Sequence, residues 1–188
     1  MVAIEMPNRE SVSQANRNYI AYFEKRIGHI PNLFLSMMHS EHAFDTYFHF
    51  QGRKNSLTLR EREVVSLVMA QCNSSLYCLS AHTMIAKLNG FSDNEIMQLR
   101  QGKVEFDPKL DVLARLVRVA TEHRGCDIAD ELSAFFGAGY TDEHLIDLVQ
   151  TMGENYIGNF TAKTLQVPID FPLAPELDKH NDHENNRK

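Results

Sequence analysis

The sequence predicts a single domain of the all-α class. Almost every segment carries its hydrophobic residues at helical spacing, and no run alternates with the period of two that marks a strand. With 188 residues, of which 43% are hydrophobic and 23% charged, the chain has the length and composition of one globular domain. We therefore expect a compact multi-helix domain over residues 1–175, followed by a polar, flexible C-terminal tail over residues 176–188.

The first three helices are predicted from apolar stripes and end signals. The segment 11–27 has one apolar stripe, and Gly28 has the position of a helix C-cap. Pro31 is placed as the first-turn proline of a short second helix. A third helix from Glu41 has aromatic residues that we interpret as core or subunit contacts rather than a cofactor site: Phe44, Tyr47, Phe48 and Phe50.

The next two helices are predicted to form a hairpin at the centre of the domain. Thr58 and Glu61 have the spacing of a capping box, so a helix begins there and continues to about Gln71. Ser74 or Ser75 can then cap a second helix, which reaches Leu88 before the Asn-Gly pair that follows.

The remaining helices are predicted mainly from N-terminal signals. Ser92 with Glu95 forms a second capping box, Asp107-Pro108 has a proline at a helix start, and a threonine precedes the last helix. The expected segments are 92–102, 107–125, 129–136 and 141–165. Three prolines between 168 and 175 then exclude regular structure.

Charge and cysteine content narrow the function classes. The net charge of −6 and the absence of a Lys/Arg block make nucleic acid and membranes poor partners. No apolar run approaches the ~20 residues of a membrane span, and we expect a cytoplasmic protein. Three cysteines are too few for a disulfide framework, so a thiol that matters is catalytic or redox-active; Cys126 is read as a buried helix-start residue without a role.

Three residues that follow the predicted hairpin turn lie on one face of the second helix. Ser75, Cys78 and His82 differ by no more than about 60° around a helix at 100° per residue. Folding the hairpin brings Glu63 to the level of His82, within reach if its side chain faces inward. Cys78 falls in the first turn, where the helix dipole favours a thiolate, so we expect its pKa to be lowered and to be set by His82. A carboxylate, an imidazole and a thiol are the parts of a proton relay to an activated sulfur.

These residues also carry a family resemblance. Glu63, eleven residues, then Ser75-x-x-Cys78-x-x-x-His82 has the spacing of the Glu, Cys-x-x-Cys-x-x-x-His core of the carboxymuconolactone decarboxylase superfamily. Within it, the chain resembles the alkylhydroperoxidase D-like and peroxidase-related branch. The likeness covers roughly residues 15–170 and includes Asn155 and Asn159 in the last helix. It implies the alkylhydroperoxidase D-like fold, with the active site on the central hairpin.

The resemblance implies a thiol-dependent antioxidant peroxidase. Carried over by position, Cys78 meets the hydroperoxide, Glu63 and His82 relay protons, and Ser75 occupies the place of the resolving cysteine. A serine cannot close a disulfide. Cys72 lies about 900° from Glu63, on the opposite face of a regular helix, so we do not expect it to substitute. The implied partners are a hydroperoxide, a thiol reductant and further copies of the chain, as a homotrimer or a hexamer built from trimers.

Two other functions stay open at this point. Glu63 and His82 could serve a non-redox acid/base enzyme of the carboxymuconolactone decarboxylase type, or the chain could be a non-catalytic helical assembly module. No cofactor is expected. A metal site is disfavoured both for Glu63, Cys78 and His82 and for the histidines His39, His42 and His49, which lack the close spacing of a zinc site.

Overall fold

The computed structural model describes residues 4–177, and all regular structure within that range is helical. The all-α prediction is therefore confirmed. From residue 178 onward the expected tail lies outside the described residues. The nine α-helices in the described range are α1 Gln14–Ile27, α2 Asn32–Met37, α3 Ala43–Gln51, α4 Leu59–Cys72, α5 Leu76–Leu88, α6 Asp93–Gln101, α7 Pro108–Glu122, α8 Ala129–Gly137 and α9 Asp142–Thr164.

Local capping chemistry sets most helix boundaries. The capping boxes at Thr58 and Ser92 both form, each with reciprocal bonds to a glutamate three residues later. Helix α1 begins three residues later than the apolar pattern indicates, because the Ser13 side chain accepts from the backbone N–H of Asn16. Gly28 ends α1 in the left-handed conformation, at φ 84°, as its C-cap position predicts.

Helix α4 is the central element of the domain. It packs against α5, α6, α7 and α9, and six of its residues between Val64 and Ala70 are completely buried. A helix that is apolar on all sides is buried, because other elements must pack around it. Glu63 is therefore held in the middle of the fold, 8% exposed.

Two hydrophobic clusters lie on either side of this hairpin. One is formed by residues of α4, α6, α7, α8 and α9, including Leu67, Leu113 and Phe135. The other joins α1, α2 and α3 to α5 and to the C-terminal residues, and Cys78 belongs to it. The aromatic residues of α3 contribute to this second cluster, in which Phe44 is fully buried.

The segment 166–175, which we call the C-terminal strap, runs back across the hairpin. Asp170 accepts hydrogen bonds from the hydroxyl of Tyr77, at 2.8 Å, and from the backbone N–H of Asn32, at 2.7 Å. The backbone N–H of Ala174 donates to Ser80 Oγ at 3.1 Å. These bonds join α2, α5 and the strap on one side of the molecule.

None of the helices within residues 4–177 has the length and apolar character required to cross a membrane.

Candidate active site

The α4–α5 turn brings the two helices of the hairpin together. Ser74 adopts the left-handed conformation at φ 51°, and the N–H of Ser75 bonds to the carbonyl of Ala70 at 2.9 Å. This is the Schellman pattern that ends a helix tightly. Ser75 then occupies the N-cap position of α5, but its side chain makes no capping hydrogen bond. The prediction that it heads the helix is confirmed, whereas capping by its hydroxyl is wrong.

Glu63 and His82 meet across the hairpin. His82 Nδ1 lies 2.9 Å from Glu63 Oε2. The contact predicted from the fold-back geometry is therefore present. A carboxylate that accepts from Nδ1–H fixes the tautomer in which the other ring nitrogen can take up a proton.

A buried ion cluster lies behind this pair. Glu154 of α9 is 6% exposed and accepts from Arg53 Nη1 at 2.8 Å, with Arg62 Nη2 at 3.4 Å. Two guanidinium groups compensate one buried carboxylate, as such a burial requires.

The surroundings raise the pKa of His82 above its ordinary value. Burial by itself disfavours the imidazolium, but the charge of Glu63 and its hydrogen bond outweigh burial, and Glu154 acts in the same direction. Arg62 opposes them. A higher pKa makes His82 a stronger proton acceptor.

Cys78 lies in the first turn of α5 but is only 5% exposed. Burial among apolar neighbours raises the pKa of its thiol to about 11. The expectation of a lowered pKa set by His82 is therefore wrong, because desolvation of the thiolate outweighs the favourable helix terminus and the opposing effect comes from Ser75. At neutral pH the sulfur is a protonated thiol, and a base must remove its proton during any reaction.

Ser75 is completely buried beside Cys78. Its hydroxyl acts as a hydrogen-bond donor toward the sulfur and lowers the pKa of Cys78, an effect smaller than that of burial. Ser75 Oγ makes no other hydrogen bond to the described residues.

Cys78 and His82 line a partly open cavity of about 270 Å³. Its wall is mostly apolar and aromatic, with rings from α1, α2, α3, α5 and the C-terminal strap: Phe23, Phe34, Tyr47, Tyr77 and Phe171. Ile27 and Met84 line it and are also solvent-exposed, which places the mouth between the end of α1 and α5. A small organic molecule that enters there meets the thiol.

Sequence reasoning did not assign a site role to Tyr47 or Asn159, although both line this cavity. Tyr47 was interpreted as a core or subunit contact, and it is indeed 7% exposed. Burial raises its pKa, with the charges of Glu154 and Cys78 in support, so its hydroxyl stays protonated. Asn159 was noted only as part of a resemblance. A polar residue inside an apolar helical stripe is the signal that could have indicated it.

The other two cysteines are elsewhere. Cys72 packs against the cluster around α4 and α7, close to the charges of Arg118 and Glu122, whereas Cys78 belongs to the opposite cluster. Cys126 is exposed in the α7–α8 connection. The prediction that Cys126 is a buried helix-start residue is therefore wrong, because α7 ends at Glu122 and α8 begins only at Ala129.

Two of the histidines considered for a metal site have hydrogen-bond partners in the backbone. His39 Nε2 contacts the carbonyl of Glu5 at 2.9 Å, and His49 Nδ1 contacts that of Asp45 at 2.9 Å. In the described part of the chain, no three His, Cys, Asp or Glu residues are arranged to hold a metal ion.

The chain combines an all-α fold with a thiol, an imidazole and a carboxylate on its central hairpin. Residues 40–120, which contain all three groups, match the carboxymuconolactone decarboxylase family. No curated protein sequence matches the chain.

Solved structures share the fold over most of the chain. A peroxidase-related protein from Ralstonia eutropha JMP134, described as an alkylhydroperoxidase AhpD core, is 20% identical and superposes with a TM-score of 0.81 over 89% of this chain and 92% of its own. A peroxidase-related protein from Silicibacter sp. TM1040 is 16% identical, with a TM-score of 0.79 over 88% and 90%. Residues 40–120 are thus similar to the carboxymuconolactone decarboxylase family, and the chain shares the fold of AhpD-like structures.

A third structure shows that activities vary on this fold. It is a cysteine-to-alanine variant of the debrominase Bmp8 in complex with 2,3,4-tribromopyrrole, 12% identical, with a TM-score of 0.74 over 90% of this chain and 93% of its own. At these identities the likeness concerns the fold alone.

Proposed function

We propose that this protein is a thiol-dependent peroxidase in which Cys78 reduces a hydroperoxide. The observation that carries the proposal is that Cys78 and His82 face one cavity while Glu63 holds His82 at 2.9 Å. This arrangement supports roles for Cys78 as nucleophile, His82 as its base and Glu63 as the group that orients the base. The resemblance to peroxidase-related proteins supports the same chemistry.

The protons and electrons of the first step balance within the site. His82 takes the proton of the Cys78 thiol as the sulfur attacks the terminal oxygen of the hydroperoxide. The O–O bond breaks, the sulfur becomes a sulfenic acid, and the leaving alkoxide receives its proton from His82. The donor hydroxyl of Ser75 stabilises the negative sulfur that forms on the way.

The second half of the cycle requires a thiol from outside the chain. The Cys78 sulfenic acid condenses with one external thiol to give a mixed disulfide and water, and a second external thiol releases Cys78 as a new disulfide leaves. No thiol near Cys78 can replace the external one, because Cys72 lies in the opposite cluster and Ser75 has no sulfur.

The proposal is tested in a chain in which Cys72 and Cys126 are replaced by serine. Treatment with one equivalent of hydroperoxide should add one oxygen to Cys78, trapped by dimedone and located by mass spectrometry. The His82→Gln chain should react more slowly by about 10²-fold or more. No oxidation of Cys78, or equal rates in both chains, would refute the peroxidase proposal.

One observation favours a second candidate, the non-redox acid/base enzyme. The Glu63–His82 pair is formed while burial keeps the Cys78 thiol protonated, with a pKa of about 11, which is the arrangement of an acid/base dyad beside a spectator sulfur. Conversion of a lactone by a Cys78→Ser chain, with loss of conversion in Glu63→Gln, would establish it. A chain that does neither reaction would be the non-catalytic assembly module.

We also propose that the protein assembles as a homotrimer or hexamer. Helix α9 presents four large apolar side chains to solvent within one stripe at helical spacing: Ile146, Val149, Ile157 and Phe160. The stripe extends over about 20 Å at ~1.5 Å per residue, and exposed apolar surface of this extent is typical of an interface.

A further inference from the structure

One polar side chain in the cavity has no part in the proposed chemistry. Asn159 of α9 lines the cavity together with Cys78 and is 1% exposed. Neither Oδ1 nor Nδ2 has a hydrogen-bond partner among residues 4–177. Leaving a buried amide unpaired is unfavourable, and native proteins rarely do so without a functional reason.

Three other polar groups of the cavity wall are already engaged. Asn155 Nδ2 donates to the carbonyl of Thr151 at 2.9 Å, and the hydroxyl of Tyr77 donates to Asp170 at 2.8 Å. His82 is held by its carboxylate partner. Among these side chains, the Asn159 amide is the one that offers a free donor and a free acceptor to a ligand.

Tyr47 brings a hydroxyl to the same end of the cavity. A methyl group on Gly158 would lie 3.3 Å from Tyr47 Oη, so this hydroxyl lies against the backbone of the residue before Asn159. The absence of a side chain at Gly158 permits that approach. The α9 wall of the cavity therefore has polar groups, whereas aromatic rings form much of the rest.

Charge and size restrict what the cavity accepts. No Asp, Glu, Lys or Arg of the described chain lines it, and the nearby Arg53 and Arg62 are both paired with Glu154. A carboxylate in the cavity would meet no Lys or Arg to compensate its desolvation, and the imidazole of His82 is already paired with Glu63. The volume of about 270 Å³ lies just below the ~300–1,000 Å³ of pockets for drug-sized ligands, which suits a small organic body.

We propose that Asn159 is the ligand-recognition residue of this cavity, and that it selects compact, uncharged molecules that combine an apolar body with a hydroxyl-type group able to donate and accept a hydrogen bond. The carboxamide accepts from the ligand O–H through Oδ1 and donates to its oxygen through Nδ2. The inference deepens the proposed function, because both an organic hydroperoxide and its alcohol product carry such a group. Carboxylated molecules of the same shape are excluded.

Binding of unreactive ligands tests the inference separately from the chemistry. Three probes share one apolar body: cumene, cumyl alcohol, and cumyl alcohol with a carboxylate in the para position. Calorimetry on the full chain should show that cumyl alcohol binds, and that the carboxylated probe binds at least about tenfold more weakly. Equal binding of the neutral and carboxylated alcohols would overturn the selectivity.

The role of Asn159 is tested with Asn159→Leu, which keeps the volume and removes both polar atoms. Its affinity for cumyl alcohol should fall by about fivefold to tenfold, whereas its affinity for cumene should not fall. Asn94→Leu, the same change at an exposed position of α6, should bind both probes as the unchanged chain does. Equal losses for cumene and cumyl alcohol, or no loss for either, would overturn the assignment.

Thermal unfolding distinguishes a ligand-recognition residue from an asparagine that only stabilises the fold. Since the amide is unpaired, Asn159→Leu should raise the melting temperature of the ligand-free chain, whereas loss of a structural residue would lower it. If Asn159→Leu does not fold, Asn159→Ala is measured with the same probes. If cumyl alcohol binds through Asn159 but Cys78 does not react with hydroperoxides, the peroxidase proposal is refuted. The inference about Asn159 then still stands.

Discussion

His82 Nδ1 and Glu63 Oε2 are 2.9 Å apart, although the two residues are nineteen positions apart in sequence. The bond crosses from α5 to α4 at a point where both helices are enclosed by neighbours. Because the carboxylate favours the imidazolium, the pair sets the proton affinity of His82.

Removal of the carboxylate charge should therefore weaken His82 as a base. In Glu63→Gln the pKa of His82 falls, and the rate of Cys78 oxidation should drop, though by less than the ~10²–10⁴-fold expected for loss of the base in His82→Gln. Stopped-flow measurement with a single hydroperoxide gives both rates. An unchanged rate in Glu63→Gln would show that the relay does not include Glu63.

The same pair predicts a pH dependence of stability. The folded-state pKa of His82 lies above the ordinary value of 6.5, so its contribution is fully present below about pH 6.5 and is lost as pH rises through the folded-state pKa. The free-energy difference between the unchanged chain and His82→Gln should shrink as the pH rises above about 6.5. Urea unfolding at several pH values measures it, and a constant difference would contradict the raised pKa.

Alkylation of the three cysteines should follow exposure rather than helix position. Cys78 is buried with a pKa of about 11, so iodoacetamide at neutral pH should modify exposed Cys126 first and Cys78 slowly. The Cys78 rate should rise as pH approaches 11. Peptide mass spectrometry over time gives the order. Modification of Cys78 ahead of Cys126 near pH 7 would show that its thiolate is stabilised after all.

Replacement of the buried serine should create a resolving thiol. With Cys72 and Cys126 changed to serine, one equivalent of hydroperoxide should leave an added oxygen on Cys78, whereas Ser75→Cys should form a disulfide and lose two hydrogens. Ser75 is at the N-cap and Cys78 in the first turn, which is the placement of Cys-x-x-Cys redox pairs. Intact-mass measurement separates the products. A persistent added oxygen in Ser75→Cys would contradict this geometry.

The stripe on α9 should determine assembly. A charge at its end, in Phe160→Glu, should shift the protein toward smaller species in light scattering, because it places a carboxylate in an apolar contact. Leu88→Glu is the matched control, since Leu88 is an exposed apolar residue on α5 outside the stripe. A monomer in the unchanged chain would refute the proposed oligomer.

The helix order and most boundaries could be predicted from the sequence because they depend on neighbours within one turn. The capping boxes at Thr58 and Ser92 and the left-handed Gly28 are of this kind. The Glu63–His82 contact could also be predicted, since a hairpin with a short turn fixes which residues are level.

The environment of Cys78 could not be predicted in the same way. Its burial comes from packing with α1, α2 and α3 and with the C-terminal strap, which are distant in sequence. Helix position alone indicated a lowered pKa, whereas tertiary packing raised it. The unpaired amide of Asn159 has the same origin, because a pattern of residue types does not show which polar groups will find partners.

The C-terminal strap completes the cavity wall with residues that are synthesised later than the hairpin. Phe171 closes part of the wall, and the Asp170 bonds to Tyr77 and Asn32 hold it there, linking positions more than ninety residues apart. Phe171 follows Cys78 by more than ninety residues, so synthesis must continue well beyond α5 before the apolar enclosure of the thiol can be completed.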